Sequence, residues 1–302
     1  KRDALAPNMN IWVAGCGAVQ AVEVALQFPN AKILATDIAH RSIQKARRLA
    51  LELGLKNISF AREDILQSRY KGQFDLIICT GVLHHLSRPI DGLKIIQRAL
   101  TKNGAAFLLL YNSFHRVLPR VFQELLFTLI DRDLGIKKQK EMADRLIFNL
   151  LSPENPDSHM RQFLRAMVEG DNPSVYADTL LHPREVSFTI DTLFEALRLA
   201  GLRFSSWQNP NYWNPRRYFN DQKLLNEFNK LKDEAQYRFM HLLGGPQSPL
   251  FYFYVEPKSA PKRAEFSDSE FLDFRPRFLT KNRIIHLQDY RLKSISTRPL
   301  FR

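Results

Sequence analysis

Five short apolar runs, alternating with stretches of helical periodicity, constrain this chain more than any other feature in it. Asn10–Ala14, Lys32–Thr36, Ile58–Ala61, Phe74–Cys79 and Ala105–Tyr111 are largely apolar, and the fourth and fifth are almost unbroken. A strand with one wet face alternates apolar and polar residues. A continuous run needs cover on both faces, which a parallel sheet between two helix layers supplies. The intervening segments provide such helices: Val19–Phe28, His40–Leu53 ending at Gly54, and Asp91–Leu100 ending at Lys102-Asn103-Gly104. The predicted class is therefore α/β.

Beyond Tyr111 the rhythm changes. Phe114 to about Leu150 reads as helical, with Pro119 near its start and Gly135 inside it, and Ser158–Glu169 reads as a further helix. The alternation then returns. A helix over Thr189–Ala200 stops at Gly201, a strand follows over Leu202–Trp207, and a helix over Phe219–Lys232 precedes the aromatic strand Leu250–Val255. These last two strands fit an antiparallel hairpin at the sheet edge. The expected organisation is one main domain over 1–257, carrying a helical insert or lid at 114–187, with a basic extension over 258–302.

Composition narrows the partners. The 302 residues hold 44 Lys and Arg against 31 Asp and Glu, a net charge of +13. From Lys258 onward the count is 11 basic to 5 acidic, or +6, so about half of the excess lies in the extension. Such a balance favours anionic partners, whether nucleic acid such as RNA, an acidic small molecule or a membrane surface, and a small-molecule or protein methyl acceptor could itself be acidic. Two cysteines, Cys16 and Cys79, build no disulfide framework, which points to a reducing, cytoplasmic setting. No apolar run reaches the roughly 18–20 residues of a membrane helix. The histidines and cysteines have no zinc spacing, and no metal is expected. The chain begins at Lys1 rather than Met, which is compatible with a missing upstream segment.

The chemical signals sit at strand ends. Gly15-Cys16-Gly17 joins the first strand to the first helix, where glycines let backbone approach a ligand and a helix N-terminus offers N–H donors. The second strand ends at Asp37, followed by Ile38; a carboxylate there can accept from both hydroxyls of a ribose, or cap the next helix. The third ends near Asp64-Ile65, suited to an adenine amino group and ring, or to a loop. A dinucleotide fingerprint would place a third glycine at Gln20, which is not small.

Phe74 to Leu86 resembles the segment of class I S-adenosylmethionine-dependent methyltransferases in which the fourth strand ends beside the transferable methyl group. The first 110 residues resemble that family, which implies a Rossmann-like, seven-stranded, mostly parallel sheet with helices on both faces. The sequence is most similar to a bacterial branch often fused to tetratricopeptide repeats, although no repeat occurs here. The similarity to that branch lies in Val13-Ala14-Gly15-Cys16-Gly17, Gly81-Val82-Leu83-His84-His85-Leu86, Leu110-Tyr111, His182-Pro183-Arg184-Glu185 and Gly201-Leu202-Arg203-Phe204. The resemblance implies S-adenosylmethionine as cofactor. Gly15, Cys16, Gly17 and Gln20 would lie at its methionine end, Asp37 and Ile38 at the ribose, Asp64 and Ile65 at the adenine, and Thr80 and Gly81 at the sulfonium. Two positions depart from the family: Val13 replaces its usual acidic residue, and Val19 a third glycine. A β-branched residue at 19 resists a positive φ. Only about ten residues precede the first strand, so part of the usual cover over the cofactor is expected to be absent.

Methyl transfer from a sulfonium asks the protein to position an acceptor and manage a proton. His84, His85 and Tyr111 are the candidates for acid–base work. Asn112, Ser113, His115, Arg116, His182 and Arg184 are candidates for holding the acceptor. The acceptor expected is a nitrogen or oxygen of a small polar metabolite or protein side chain. An RNA methyltransferase and a non-catalytic cofactor-binding or scaffold subunit are the alternatives. Asn209-Pro210-Asn211-Tyr212 resembles an amide- and adenine-methylating motif but follows the wrong strand and lacks its second proline, so it reads as a loop. Phe271, Phe274 and Phe278, set among Arg275 and Arg277, could stack bases or grip phosphate but read first as tail packing onto the domain.

Overall fold

A computed structural model describes residues 8–170, 173–182 and 184–261, and the backbone of two later strands, Ile284–Gln288 and Arg291–Ser296, which pair antiparallel. The aromatic tail positions 271, 274 and 278 lie outside the described residues, as does Pro183.

The first half alternates as its apolar runs demand. Strands β1 (Asn10–Ala14), β2 (Lys32–Asp37), β3 (Ile58–Arg62), β4 (Phe74–Thr80) and β5 (Leu100–Asn112) alternate with helices α1 (Gln20–Gln27), α2 (His40–Glu52) and α3 (Pro89–Ala99). All five strands pair in parallel, in the order β3-β2-β1-β4-β5. Successive β1 residues serve opposite faces. Ile11 and Val13 join a core with α1 and α2, whereas Trp12 and Ala14 join the larger core on the other face. All four are fully buried. The Trp12 indole N–H, which would be orphaned in that core, donates to Thr36 Oγ1 at 2.9 Å.

The start of β5 differs from the sequence expectation. Helix α3 stops at Ala99 and the strand begins at once, pairing Leu100 with Phe74 before the register shifts so that Ala105 meets Leu76. Gly104 lies in the irregular stretch; a Cβ there would stand 2.8 Å from the Phe74 carbonyl oxygen, so the segment read as a helix stop is a close strand crossing.

The insert is built from α4 (Val117–Leu129), α5 (Ile136–Leu150), α6 (His159–Glu169) and the short α7 (Pro173–Tyr176), which continues into a π-helical turn over Ala177–Leu181. Residues 114–150 are thus two helices rather than one, divided at Ile130–Gly135, where Gln139 donates to the carbonyls of Arg132 (2.8 Å) and Leu134 (2.7 Å). Phe122, Leu126, Ala143, Ile147, Leu164 and Leu180 give the insert a core of its own.

The chain then returns through β6 (Ser187–Phe188), which pairs with the end of β5, α8 (Ile190–Leu199) and β7 (Leu202–Trp207). Helices α9 (Gln222–Asn229) and α10 (Asp233–Gly244) precede β8 (Phe251–Pro257), which lies antiparallel between β5 and β7. Apart from β6, the sheet runs β3-β2-β1-β4-β5-β8-β7. Helix α9 is shorter than its sequence pattern, and α10 lacked a readable signal because only Met240 and His241 of it are fully buried. Among the described residues no helix is long and apolar enough to cross a membrane.

Candidate active site

Strand order reverses between β1 and β4, and there the carboxyl ends of the two strands part to leave a crevice. Gly15 opens the loop after β1 with φ +73°, and its N–H and that of Cys16 both donate to the Thr36 carbonyl, at 2.8 and 2.9 Å. Gly17 follows with φ +56°. Its N–H donates to Asp37 Oδ2 at 2.9 Å, while Asp37 Oδ1 accepts from the Ala39 N–H at 2.8 Å. Asp37 therefore fastens the glycine loop to the start of α2, and each of its oxygens keeps a lone pair for a further donor.

A Cβ on Gly17 or on Gly81 (φ +76°) would meet nothing within 4 Å, so both glycines border open space. A Cβ on Gly15 would stand 2.0 Å from Val82 Cγ2, because Val82 leans across the crevice onto it. Val19 takes φ −133° at the N-cap of α1, so the loop follows a path that needs no third glycine. It supplies no side-chain cap, leaving the helix N-terminus to other acceptors. Gln20 Nε2 crosses from α1 to donate to Thr80 Oγ1 at 2.7 Å. Cys16 is buried, and burial together with the nearby Asp37 pushes its thiol up to about 12, so it lines the loop as an unreactive thiol.

Around the same crevice, Ile38 is 63% exposed at the end of β2, an apolar surface open to a ring. Asp64 Oδ1 accepts from the Leu66 N–H at 2.9 Å and caps a short 3₁₀ turn. Ile65 packs into the larger core. These residues fit S-adenosylmethionine: two bare glycines face open space, an uncapped helix N-terminus can meet a carboxylate, and a carboxylate with free lone pairs ends β2.

A second cluster of polar and aromatic side chains lies beyond β4. His84 is fully buried, stacked on Tyr111 with ring centroids 3.6 Å apart, and neither ring nitrogen has a well-placed hydrogen-bond partner among the described residues. Burial, then the neighbouring His85, bring His84 down to about 3, so the ring is neutral. The Tyr111 hydroxyl donates to Asp178 Oδ2 at 2.5 Å. Burial and that bond push the phenol well up. His85 Nε2 lies 2.9 Å from Asp178 Oδ1, and His85 Nδ1 lies 3.0 Å from the Arg184 carbonyl oxygen. Burial alone would raise the Asp178 carboxyl, but His85 and Tyr111 outweigh it and hold the group down at about 2. The His182 ring packs against His85, tilted by 33° with centroids 3.6 Å apart, and burial followed by His85 lowers it.

Two further networks hold the frame. The Arg116 guanidinium lies 4.2 Å from the Tyr111 ring centroid and forms a buried ion pair with Glu185, with Nε 3.1 Å from Oε1. Its Nη2 also donates to the Thr179 carbonyl at 2.9 Å. Arg116 is thus a strut between β5 and the insert. Asn112 is fully buried, donates to the Pro249 carbonyl at 2.8 Å, and sits 2.8 Å from His241 Nε2. Burial, then Arg116, lowers His115. The Arg184 side chain is on the exposed return from the insert.

The structure thus joins Gly15, Gly17, Gln20, Asp37 and Thr80 around one crevice and packs His84, His85, Tyr111, Arg116 and His182 into one cluster. Asp178, Glu185 and His241 were not among the sequence candidates. Glu185 lay inside a motif, but Asp178 sits in a helical insert whose pattern marks only its apolar face.

The fold and the crevice are those of a class I S-adenosylmethionine-dependent methyltransferase domain. Residues 5–147 match the family described as a methyltransferase domain. An uncharacterized protein of Synechococcus is 28% identical over 292 residues, covering 94% of this chain and 70% of the relative. The structure of PKMT2 from Rickettsia typhi is similar in fold, with a TM-score of 0.68 at 15% identity over 89% of this chain. The chain spans 52% of the length of that protein, which is also known in complex with AdoHcy, so it corresponds to about half of it.

Two outcomes check this frame. His84 is neutral in the folded chain down to about pH 3 but titrates near 6.5 when unfolded, so stability is full above pH 6.5 and falls as pH drops toward 3. Urea unfolding of His84→Phe across that window will show a shallower fall than the unmutated chain. Arg116→Ala strands Glu185 in the interior and will cost about 3–5 kcal/mol in the same measurement.

Proposed function

We propose that this chain transfers a methyl group from S-adenosylmethionine to a nitrogen or oxygen of a small polar metabolite or of a protein side chain. The observation that carries this reading is the meeting of Asp178, His85 and Tyr111 where β4 and β5 end, on the acceptor side of Gly81. The cofactor, when bound, supplies an electrophilic methyl group. Asp37 accepts from its ribose hydroxyls while keeping the glycine loop in place. Gly17 and Gly81 leave it room, and Gln20, held on Thr80, closes the methionine end.

On the acceptor side, His84 is a neutral, dry wall and a poor base. His85 and the Tyr111 hydroxyl both lie against Asp178 and hold its carboxyl well below the usual carboxylate range, so it is an anion, and its side chain is still 43% exposed. A carboxylate so placed receives an N–H or O–H of the acceptor and orients its lone pair toward the methyl group, and the proton released leaves along that contact. The RNA reading is favoured by the net charge of +13 and by similarity, over 31% of this chain, to a Campylobacter jejuni tRNA U34 carboxymethyltransferase.

The test is calorimetry with S-adenosylhomocysteine followed by transfer of radiolabelled methyl into metabolite, protein and RNA fractions. Asp37→Ala will weaken binding at least about tenfold, the scale of one charge-assisted hydrogen bond, and Asp37→Asn, which keeps the loop's shape, will weaken it less. Label is expected in metabolite or protein. Label in RNA alone would establish the alternative acceptor, and an unmutated chain that binds no S-adenosylhomocysteine would leave only a scaffold.

A further inference from the structure

The segment after β7 is a rigid, outward-facing platform that the site above does not use. It is built from two successive 3₁₀ turns, Pro210–Trp213 and Pro215–Arg217, each opened by a proline. Asn209 and Asn214 cap them, accepting from the Asn211 N–H at 3.1 Å and the Arg216 N–H at 3.0 Å. Trp213 anchors the loop by stacking on the buried Trp207 at 4.0 Å and 16°. With its backbone thus fixed, the loop presents Tyr212, Arg216, Arg217 and Tyr218 to solvent. The Arg217 guanidinium lies 4.9 Å from the Tyr212 ring centroid. Over residues 209–232 the sequence holds five basic residues and two acidic ones. Asp221 is occupied in capping α9 and Glu227 in an ion pair with Lys230. Among the described residues Arg216, Arg217 and Lys223 have no ion-pair partner.

Topology puts this platform beside the acceptor side. β7 is antiparallel to β8, which is antiparallel to β5, so β5 and β7 end at the same edge of the sheet, two strand spacings or about 10 Å apart. Direct contacts complete the link. The Tyr218 hydroxyl lies over Gly244, 3.7 Å from where a Cβ would stand, at the end of α10. From the same helix His241 reaches Asn112 and packs against Phe114, at 4.4 Å between ring centroids.

We infer that the platform of Tyr212, Arg216, Arg217 and Tyr218 docks an acidic segment of a protein acceptor and delivers a neighbouring side chain to the mouth at Asn112–His115. This rests on the reading of the chain as a methyltransferase with a protein-side-chain acceptor. A single strand of RNA is the weaker fit, because two of the three aromatic rings are already in use, Trp213 on Trp207 and Tyr212 under Arg217, which leaves Tyr218 alone for stacking. Stacking of bases needs open faces. Two guanidinium forks on a fixed backbone suit carboxylates, and exposed Tyr and Arg beside apolar Phe239 and Leu243 make a protein-type surface. A backbone already held in its docking shape loses little freedom on binding.

The test is fluorescence anisotropy of a fluorescein-labelled Glu-rich peptide with the full chain, with the double variant Arg216→Glu and Arg217→Glu, and with a control carrying the same charge change on α5, Lys137→Glu and Lys138→Glu. The expected result is salt-sensitive binding that the platform variant weakens at least tenfold and the control leaves within about twofold. S-adenosylhomocysteine affinity, read by calorimetry on the same samples, will be equal in all three. No binding of the peptide, or equal loss in the control, would overturn the proposal. A labelled oligouridylate that displaces the peptide and fails on the platform variant would overturn it in favour of RNA. Peptide binding with no S-adenosylhomocysteine binding in the unmutated chain would instead sink the methyltransferase reading and leave the docking surface standing.

Discussion

Because β4 pairs with β1 on the side away from β2, the connections leaving these strands travel in opposite directions, and the gap between them cannot be filled by the chain itself. Much of the site depends on that gap. Gly15 is bare because Val82 reaches across to it, and Gln20 and Thr80 meet because α1 and the end of β4 line the two walls. Asp37 stands at the rim because β2 ends beside the glycine loop, and its carboxylate ties that loop to the start of α2 while keeping lone pairs free.

The insert lies over the ends of β4 and β5 and brings Asp178 to His85 and Tyr111. It has its own apolar core, so its position relative to the sheet is set by a few polar struts rather than by a continuous hydrophobic interface. The buried Arg116–Glu185 pair and the Arg116 contact with Thr179 are the main ones. Asp178 is a product of the same arrangement: a π-helical turn carries its carboxylate to within reach of His85 and Tyr111, which come from two different strand ends. The low basicity of His84 follows from its place in the stack between these layers.

The glycine-loop half of this arrangement was legible in the sequence, and the half around Asp178 only partly so. Gly15, Gly17, Asp37 and Gly81 sit at the ends of apolar runs, where parallel strands place their loops on one edge, so local pattern and global position coincide. Asp178 had no such signal, since the geometry that brings it to His85 depends on how four helices fold over the sheet. Val19 looked like an obstacle only against a fixed glycine pattern; its ordinary φ shows a loop that takes another path. Helix α10 escaped notice because few of its residues are buried, yet its His241 holds Asn112 at the end of β5.

Amide hydrogen exchange with and without S-adenosylhomocysteine tests, residue by residue, whether the glycine loop, the end of β2 and the turn after β4 form one cofactor site. Slowed exchange is expected at Gly15–Gln20, Asp37–Ala39 and Thr80–Val82, with the outward face of α5 unchanged. Protection elsewhere in the chain, with these three segments unaffected, would contradict it.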